Sequence, residues 1–243
     1  MKIVIPVSSH DRCLVEAFCN VVNFFGPYFD HELLVVVRPS DSRIGVDVFN
    51  AVSGKFSNPK IYIFEDDGIY GWPQGPNHYW KNTVQYLHHT DNKLPWLWME
   101  MDCTPIKNRW IHKIEKEYIK MGSSCLGMIQ RLWRDDDECE HLVGAAVYPH
   151  DLGTLIHSWK TIDGNSLAFD VHCRHELLPM SKSSKIIGNH FRTCDYDCTD
   201  SGMRGQVSDL EFVKYCFNKP ISRDTVLVHG CNDGSLARLI TNT

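Results

Sequence analysis

Leu94-Pro95-Trp96-Leu97-Trp98-Met99-Glu100-Met101-Asp102 is the stretch on which the fold turns. A run of large apolar residues stops at two carboxylates one residue apart. The run reads as a buried strand over 96–101 that surfaces at an acidic tip. Side chains at i and i+2 of an extended segment lie on one face, so the spacing predicts that Glu100 and Asp102 turn toward a single divalent cation. Hard cations such as Mg²⁺ or Mn²⁺ are held by one or two carboxylates, with substrate phosphates and water completing the shell. Chemistry on a nucleotide diphosphate is the expectation.

Upstream of this strand the chain alternates strand and helix. Lys2–Val7 is a continuous aliphatic strand, and Ser8-Ser9-His10-Asp11 after it reads as a capped turn. Leu14, Phe18, Val21 and Phe25 recur at helical spacing until Gly26-Pro27. Glu32–Val37 is a second strand, 45–53 a weaker helix, Lys60–Phe64 a third strand, and a helix runs from Asn77 to His89. A further helix is expected over Ile106–Met121. Such alternation predicts an α/β fold with a mainly parallel sheet covered on both faces. Ligands of such sheets bind beyond the carboxyl ends of the strands. Those ends carry Ser8-Ser9-His10, Ser40-Asp41, Asp66-Asp67 and Glu100-Met101-Asp102. No glycine-rich phosphate loop follows the first strand, which argues against a dinucleotide-binding or P-loop protein.

The second half is less regular. Strands are expected over Cys125–Leu132, Leu142–Tyr148, Lys185–Phe191 and Thr225–His229, with an exposed loop over 134–138. Short helices are expected over Ser166–Leu178, holding Asp170, and over Ser208–Phe217. No linker or repeat interrupts the chain, so one domain with two halves, 1–121 and 122–243, is expected.

Composition narrows the function. The 243 residues are 43% hydrophobic and 23% charged, with a formal net charge of −5. A protein gripping a phosphate backbone through bulk charge is usually basic; any nucleic-acid contact falls to a local patch such as Arg131, Arg134, Lys182, Lys185, Arg192 and Arg204. The amino-terminal segment turns polar too early for a signal peptide, and no apolar run reaches membrane-spanning length. A cytoplasmic protein with reduced thiols is therefore expected. The 10 cysteines form no CxxC pair. His172, Cys173, His175, His190, Cys194 and Cys198 are a candidate structural zinc group.

The order of elements resembles the GT-A fold of nucleotide-sugar-dependent glycosyltransferases: a Rossmann-like nucleotide-binding half plus a smaller mixed acceptor half. Ile3-Val4-Ile5-Pro6-Val7 resembles its opening strand, and Gly75-Pro76-Asn77 with the following helix resembles the segment before its metal motif. Glu100-Met101-Asp102 stands where the DxD motif is expected, with Glu in place of the first Asp. Val228-His229-Gly230 and Asp233-Gly234 resemble the late histidine and glycine loop. The stretch 96–110 is similar to phage-encoded members, which places the protein in the host cytoplasm if it is phage-encoded.

The resemblance implies a metal-dependent transfer of a sugar from a nucleotide donor, such as a UDP-sugar, to a hydroxyl. Asp102 would be the main ligand of Mn²⁺ (or Mg²⁺), His229 a further ligand, and Glu100 a ligand of ribose or, through water, of the metal. Asp41 or Asp66 would receive the base or ribose, and Trp72, in a loop at the ligand edge, would stack on base or sugar. An inverting transfer needs a base for the acceptor hydroxyl, for which Asp170 is the first choice and Asp195, Asp197 and Asp200 are alternatives; a retaining transfer needs none. The acceptor is a hydroxymethylated base in phage DNA, a glycan or a small molecule. A nucleotidyltransferase and a zinc-stabilised binding module are the competing classes.

Overall fold

The computed structural model describes residues 1–65, 68, 71–134, 137–163, 166–189, 222–231 and 233–242. Asp66, His190, Arg192, Cys194, Asp195, Asp197, Cys198, Asp200, Arg204 and the helix expected over Ser208–Phe217 lie outside those residues.

The strands are β1 (Lys2–Val7), β2 (Tyr28–Val37), β3 (Phe56–Ile63), β4 (Trp96–Trp98), β5 (Thr104–Pro105), β6 (Cys125–Gly127), β7 (Ile129–Arg134), β8 (Asp137–Leu142), β9 (Val147–Tyr148), β10 (Ser181–Ser183), β11 (Ile187–Asn189) and β12 (Leu227–His229). The main sheet runs β10-β6-β9-β4-β1-β2-β3. β1 pairs in parallel with both β2 and β4, β2 with β3, and β10 with β6; β9 is antiparallel to both its neighbours. This is the mixed α/β architecture expected, with strands from both halves of the chain in one sheet.

Both faces are buried, and strand alternation shows how. Ile3, Ile5 and Val7 of β1 pack with Leu33, Val35 and Val37 of β2 under helices α1 (Val15–Phe25), α2 (Ser42–Val52) and α4 (Trp110–Met121). Val4, Leu34 and Val36 point the other way, toward α3 (Gln74–His89) and the short helices α5 (Leu152–Leu155), α6 (Phe169–His172) and α7 (Arg174–Leu177). That second face is aromatic. Trp96 stacks on Tyr148 and Trp80 on Phe169, each pair with centroids 4.7 Å apart. Such ring pairs add to the area term a preference for one relative orientation, which fixes α3 and α6 over the centre of the sheet. A last helix, α8 (Ser235–Thr241), packs on α1.

A second, smaller sheet has the order β11-β12-β5. β11 and β12 are parallel, and β12 is antiparallel to β5. β7 and β8 form a separate hairpin.

Several boundaries move from those the sequence suggests. β2 begins at Tyr28, four residues early, because its first part pairs with β3 through an irregular register that hydrophobic periodicity does not signal. β7 takes in Arg134 and β8 takes in Asp137 and Glu138, the two ends of what reads as a charged loop. β4 ends at Trp98, not Met101. Beyond it the chain makes a tight turn in which the Cys103 N–H donates to the Glu100 carbonyl at 2.9 Å. Glu100 and Asp102 are therefore not neighbours on an extended strand, and the i, i+2 argument gives the right proximity for the wrong reason. Among the described residues no helix is long and apolar enough to cross a membrane. The described cysteines, Cys13, Cys19, Cys103, Cys125, Cys139, Cys173 and Cys231, carry free thiols.

Gly45 tests how tightly α2 sits on β2. A Cβ there would lie 2.3 Å from Cγ2 of the fully buried Val37. Alanine improves helix propensity by about 1 kcal/mol, but overpacking a core costs about 1–3 kcal/mol. Gly45→Ala is expected to lower the urea midpoint of unfolding; an unchanged or raised midpoint would show that α2 shifts freely on the sheet.

Candidate functional site

Three side chains from distant segments meet at the carboxyl end of β4. The turn after β4 supplies Glu100 and Asp102, and the end of β12 supplies His229. Two backbone pairings bring them together: β12 lies antiparallel to β5, just past the turn, and the Cys231 N–H donates to the Asp102 carbonyl at 2.8 Å. His229 Nε2 is 3.2 Å from Glu100 Oε2 and 3.5 Å from Asp102 Oδ1. One ligand atom from each residue fits within a 4.8 Å set. The Trp98 indole N–H donates to the other Glu100 oxygen at 2.9 Å and fixes its plane. Among the described residues, Asp102 Oδ1 and His229 Nδ1 are buried without a hydrogen-bond partner. Buried polar atoms are rarely left so. Two carboxylates and an imidazole with spare buried lone pairs fit a divalent cation of the Mn²⁺ or Mg²⁺ kind.

The electrostatics of the metal-free cluster are uneven. Burial pushes His229 down, but the Asp102 and Glu100 carboxylates more than reverse this and raise it to about 9. Burial pushes Glu100 up, yet its hydrogen bond and charge contact with His229 leave it below the ordinary value. Asp102, which lacks that hydrogen bond, is raised to about 6, by burial and then by Glu100 against the pull of His229. The imidazolium is thus shared unequally, and Glu100 holds the better geometry.

The cluster opens into a cavity of about 890 Å³ at the carboxyl edge of the parallel strands. Asp41, Trp72 and Asp170, singled out from sequence, line the same cavity. Asp41, at the start of α2, is buried; its Oδ2 lies 3.0 Å from the Tyr79 hydroxyl and 3.6 Å from Arg38 Nε. The Arg38 guanidinium lies over the Tyr79 ring, 4.9 Å from its centroid. Trp72 is 72% exposed, whereas Trp80, Trp96, Trp98 and Trp110 are fully buried. An indole left in water at a cavity mouth has its face free for a ligand. Asp170, in α6, accepts from the Val171 N–H at 2.9 Å. Burial first, and the Glu100 charge second, raise it to about 7.

Other expectations fare differently. Lys185, one of the basic patch residues named from sequence, is absent from the cavity lining. Of the candidate zinc group only His172, Cys173 and His175 are described, and the His172 ring lies 3.2 Å from the Ser158 carbonyl. Among the described residues the acid–histidine cluster at Glu100, Asp102 and His229 is the one set with metal-ligand spacing. Asp11, Gln130 and His141 also line the cavity and were not found from sequence. Ser8-Ser9-His10-Asp11 reads as a capped turn, and it is one: Ser8 is the cap and its N–H donates to the Asp11 carboxylate at 3.3 Å. That carboxylate nonetheless faces the acid pair and helps raise Asp102.

No protein-family model matches the sequence, and no curated protein matches it. Solved structures do. The galactosyltransferase LgtC, in complex with donor and acceptor sugar analogues, aligns over 100% of this chain and 95% of its own at 10% identity, with a TM-score of 0.54. Mouse xyloside xylosyltransferase 1 aligns over 94% of this chain and 96% of its own at 9% identity, TM-score 0.51. The glycosyltransferase GlyE of Streptococcus pneumoniae TIGR4 covers 100% of this chain with 61% of its own at 6% identity, TM-score 0.55. The fold is GT-A. In this GT-A chain the acidic turn after β4 and the histidine at the end of β12 occupy the ligand edge of the sheet.

The charge sharing can be measured. In metal-free protein the His229 ring is expected to titrate near 9 by NMR, falling toward 6.5 in Glu100→Gln. A folded-state value above the ordinary one means that the ion pair's stabilisation is complete below about 6.5 and disappears as pH rises through 9. A wild-type midpoint at or below 6.5 would contradict the arrangement.

Proposed function

We propose that the protein is a metal-dependent glycosyltransferase that moves a sugar from a nucleotide donor, most simply a UDP-sugar, to an acceptor hydroxyl. The observation carrying this reading is the convergence of Glu100, Asp102 and His229 within 4.8 Å at the mouth of a GT-A sheet, beside a cavity of nucleotide-sugar size. Ligand pockets commonly hold about 300–1,000 Å³.

Asp102 and His229 would hold Mn²⁺ (or Mg²⁺), with Glu100 touching the ion or the ribose; an imidazole ligand favours Mn²⁺. The ion would supply charge stabilisation for the departing diphosphate. Residues 1–121 serve the donor: Asp41, held by Arg38 and Tyr79, takes the base or ribose, and Trp72 stacks on base or sugar. Asp66 has the same assignment by its place after β3. Residues 122–243 serve the acceptor. Asp170 accepts the acceptor hydroxyl's proton as the oxygen bonds to the anomeric carbon. The bond from that carbon to the phosphate oxygen breaks, and the nucleoside diphosphate leaves with the electron pair. A carboxylate near 7 is matched to that task at neutral pH.

Asp11, Asp41, Glu100, Asp102 and Asp170 share the cavity wall with Arg38. An acidic lining favours a neutral hydroxylated acceptor, a glycan or small molecule, over a polyanion. Hydroxymethylated DNA belongs in the same acceptor screen, where modification of the DNA and not of simple sugars would reverse this preference.

The test is Mn²⁺-dependent release of nucleoside diphosphate from a panel of nucleotide sugars. Asp102→Asn is expected to lower turnover by about 100-fold or more without lowering stability, because the buried Asp102 carboxylate is disfavoured as an anion in the metal-free state. Release that ignores Mn²⁺, or survives the substitution, would refute the reading. Metal binding also has to displace the His229 proton. Calorimetry at pH 7.5 in buffers of different ionisation enthalpy is expected to show about one proton released per Mn²⁺, and none from that source in His229→Ala.

A further inference from the structure

The β7–β8 hairpin has two unlike faces. Gln130 and His141 are directly opposed across its strands, and so are their neighbours Arg131 and Glu140. Successive side chains of a strand alternate between faces. Arg131 and Glu140 point outward, 67% and 48% exposed, and pair at 2.8 Å. Gln130 and His141 point inward and are 8% and 4% exposed. Both line the cavity described above. An inward hairpin face packed on a core is ordinarily apolar. Here it carries an amide and an imidazole side by side.

Burying such groups is unfavourable unless they gain partners. Gln130's side-chain contact is the Met128 sulfur at 4.0 Å, a weak acceptor. His141 Nε2 faces Asp170 Oδ2 at 3.6 Å, within charge-contact range. Three groups from three elements, β7, β8 and α6, thus converge on one wall. Gln130 offers a donor and an acceptor, His141 a ring N–H, and Asp170 two acceptor oxygens.

We propose that Gln130, His141 and Asp170 form the acceptor subsite, and that it takes the adjacent hydroxyls of a neutral sugar or polyol. One hydroxyl donates to Asp170 and accepts from the His141 ring; its neighbour exchanges hydrogen bonds with the Gln130 amide. Gln130 is a specificity-determining residue, and His141 a positioning residue that holds the Asp170 carboxylate. The proposal rests on the glycosyltransferase reading and adds to it the identity of the acceptor wall.

The experiment is two-substrate kinetics on Mn²⁺-loaded protein with the nucleotide sugar and simple sugar acceptors found in the screen. Gln130→Ala is expected to raise the acceptor KM about tenfold, the size of one lost hydrogen-bonded contact, with a donor KM matching wild type. His141→Ala is expected to lower kcat of transfer. His141→Gln, which keeps a side-chain N–H of similar reach, is expected to restore part of it. Arg131→Ala, on the outward face, is the control and is expected to behave as wild type. Thermal melting separates these effects from misfolding, and Gln130→Glu replaces Gln130→Ala if the smaller side chain unfolds the hairpin; its added charge should also raise the acceptor KM. Equal acceptor KM in folded Gln130 variants, or no recovery in His141→Gln relative to alanine, overturns the subsite and leaves the glycosyltransferase reading intact. A wild-type protein that consumes no nucleotide sugar overturns both.

Discussion

The site depends on the pairing of β12 with β5. That two-residue antiparallel contact, extended by the hydrogen bond from Cys231 to the Asp102 carbonyl, ties the late loop to the turn after β4. Without it the two carboxylates would face each other with no cation between them, in a place where burial already pushes Asp102 upward. With it, an imidazolium stands in for the positive charge that the acids require. The fold therefore tolerates a buried acidic cluster by building its counter-charge from a segment 129 residues away. Breaking such a pair leaves an uncompensated charge, which is why buried ionic clusters tend to be kept or lost as a unit.

The large sheet and the small one divide the labour. The parallel strands and the aromatic face beneath α3 form a rigid platform whose centre is aliphatic on one side and ring-packed on the other. The cavity and the acid–histidine cluster lie at the carboxyl edge, where the strands stop and backbone groups are free to turn. The cavity walls come from both halves of the chain: Arg38, Asp41, Trp72 and Tyr79 from the first, Gln130, His141 and Asp170 from the second. Gly144 lets the two sides approach, since a Cβ there would meet Phe169 at 2.8 Å and lie 3.7 Å from Glu100.

Much of the first half was legible because its signals are local. β1 and α1 announce themselves by period and by the Gly26-Pro27 stop, and continuous aliphatics in β2 mark a sheet covered on both faces. Glu100, Asp102 and Asp170 could be singled out as acids at expected edges, and the structure gathers them with His229 around one cavity. Other features were illegible for identifiable reasons. The turn at Glu100–Cys103 follows an apolar run that hides the end of β4. The hairpin carrying Gln130 and His141 reads in part as loop because 134–138 is an unbroken run of charged residues. Asp11 belongs to a stretch that reads as a capped turn, which it is, and nothing in Ser8-Ser9-His10-Asp11 reveals the acids across the cavity. Arg38 and Tyr79 lie 41 residues apart as numbered, and no short-range pattern links a cation to the ring beneath it.

The separation of the acids from their histidine has a consequence for biosynthesis. A ribosome adding about 5–20 residues per second delivers Glu100 on the order of ten seconds before His229, given the 129-residue interval. During that interval the nascent chain can assemble β1 to β4 and their helices, since those contacts are already available. The acids stay exposed at the unfinished rim, hydrated and mutually repelling. Closure of the acid–histidine cluster is therefore a late, discrete event, tied to emergence of the closing strand and not to formation of the hydrophobic platform.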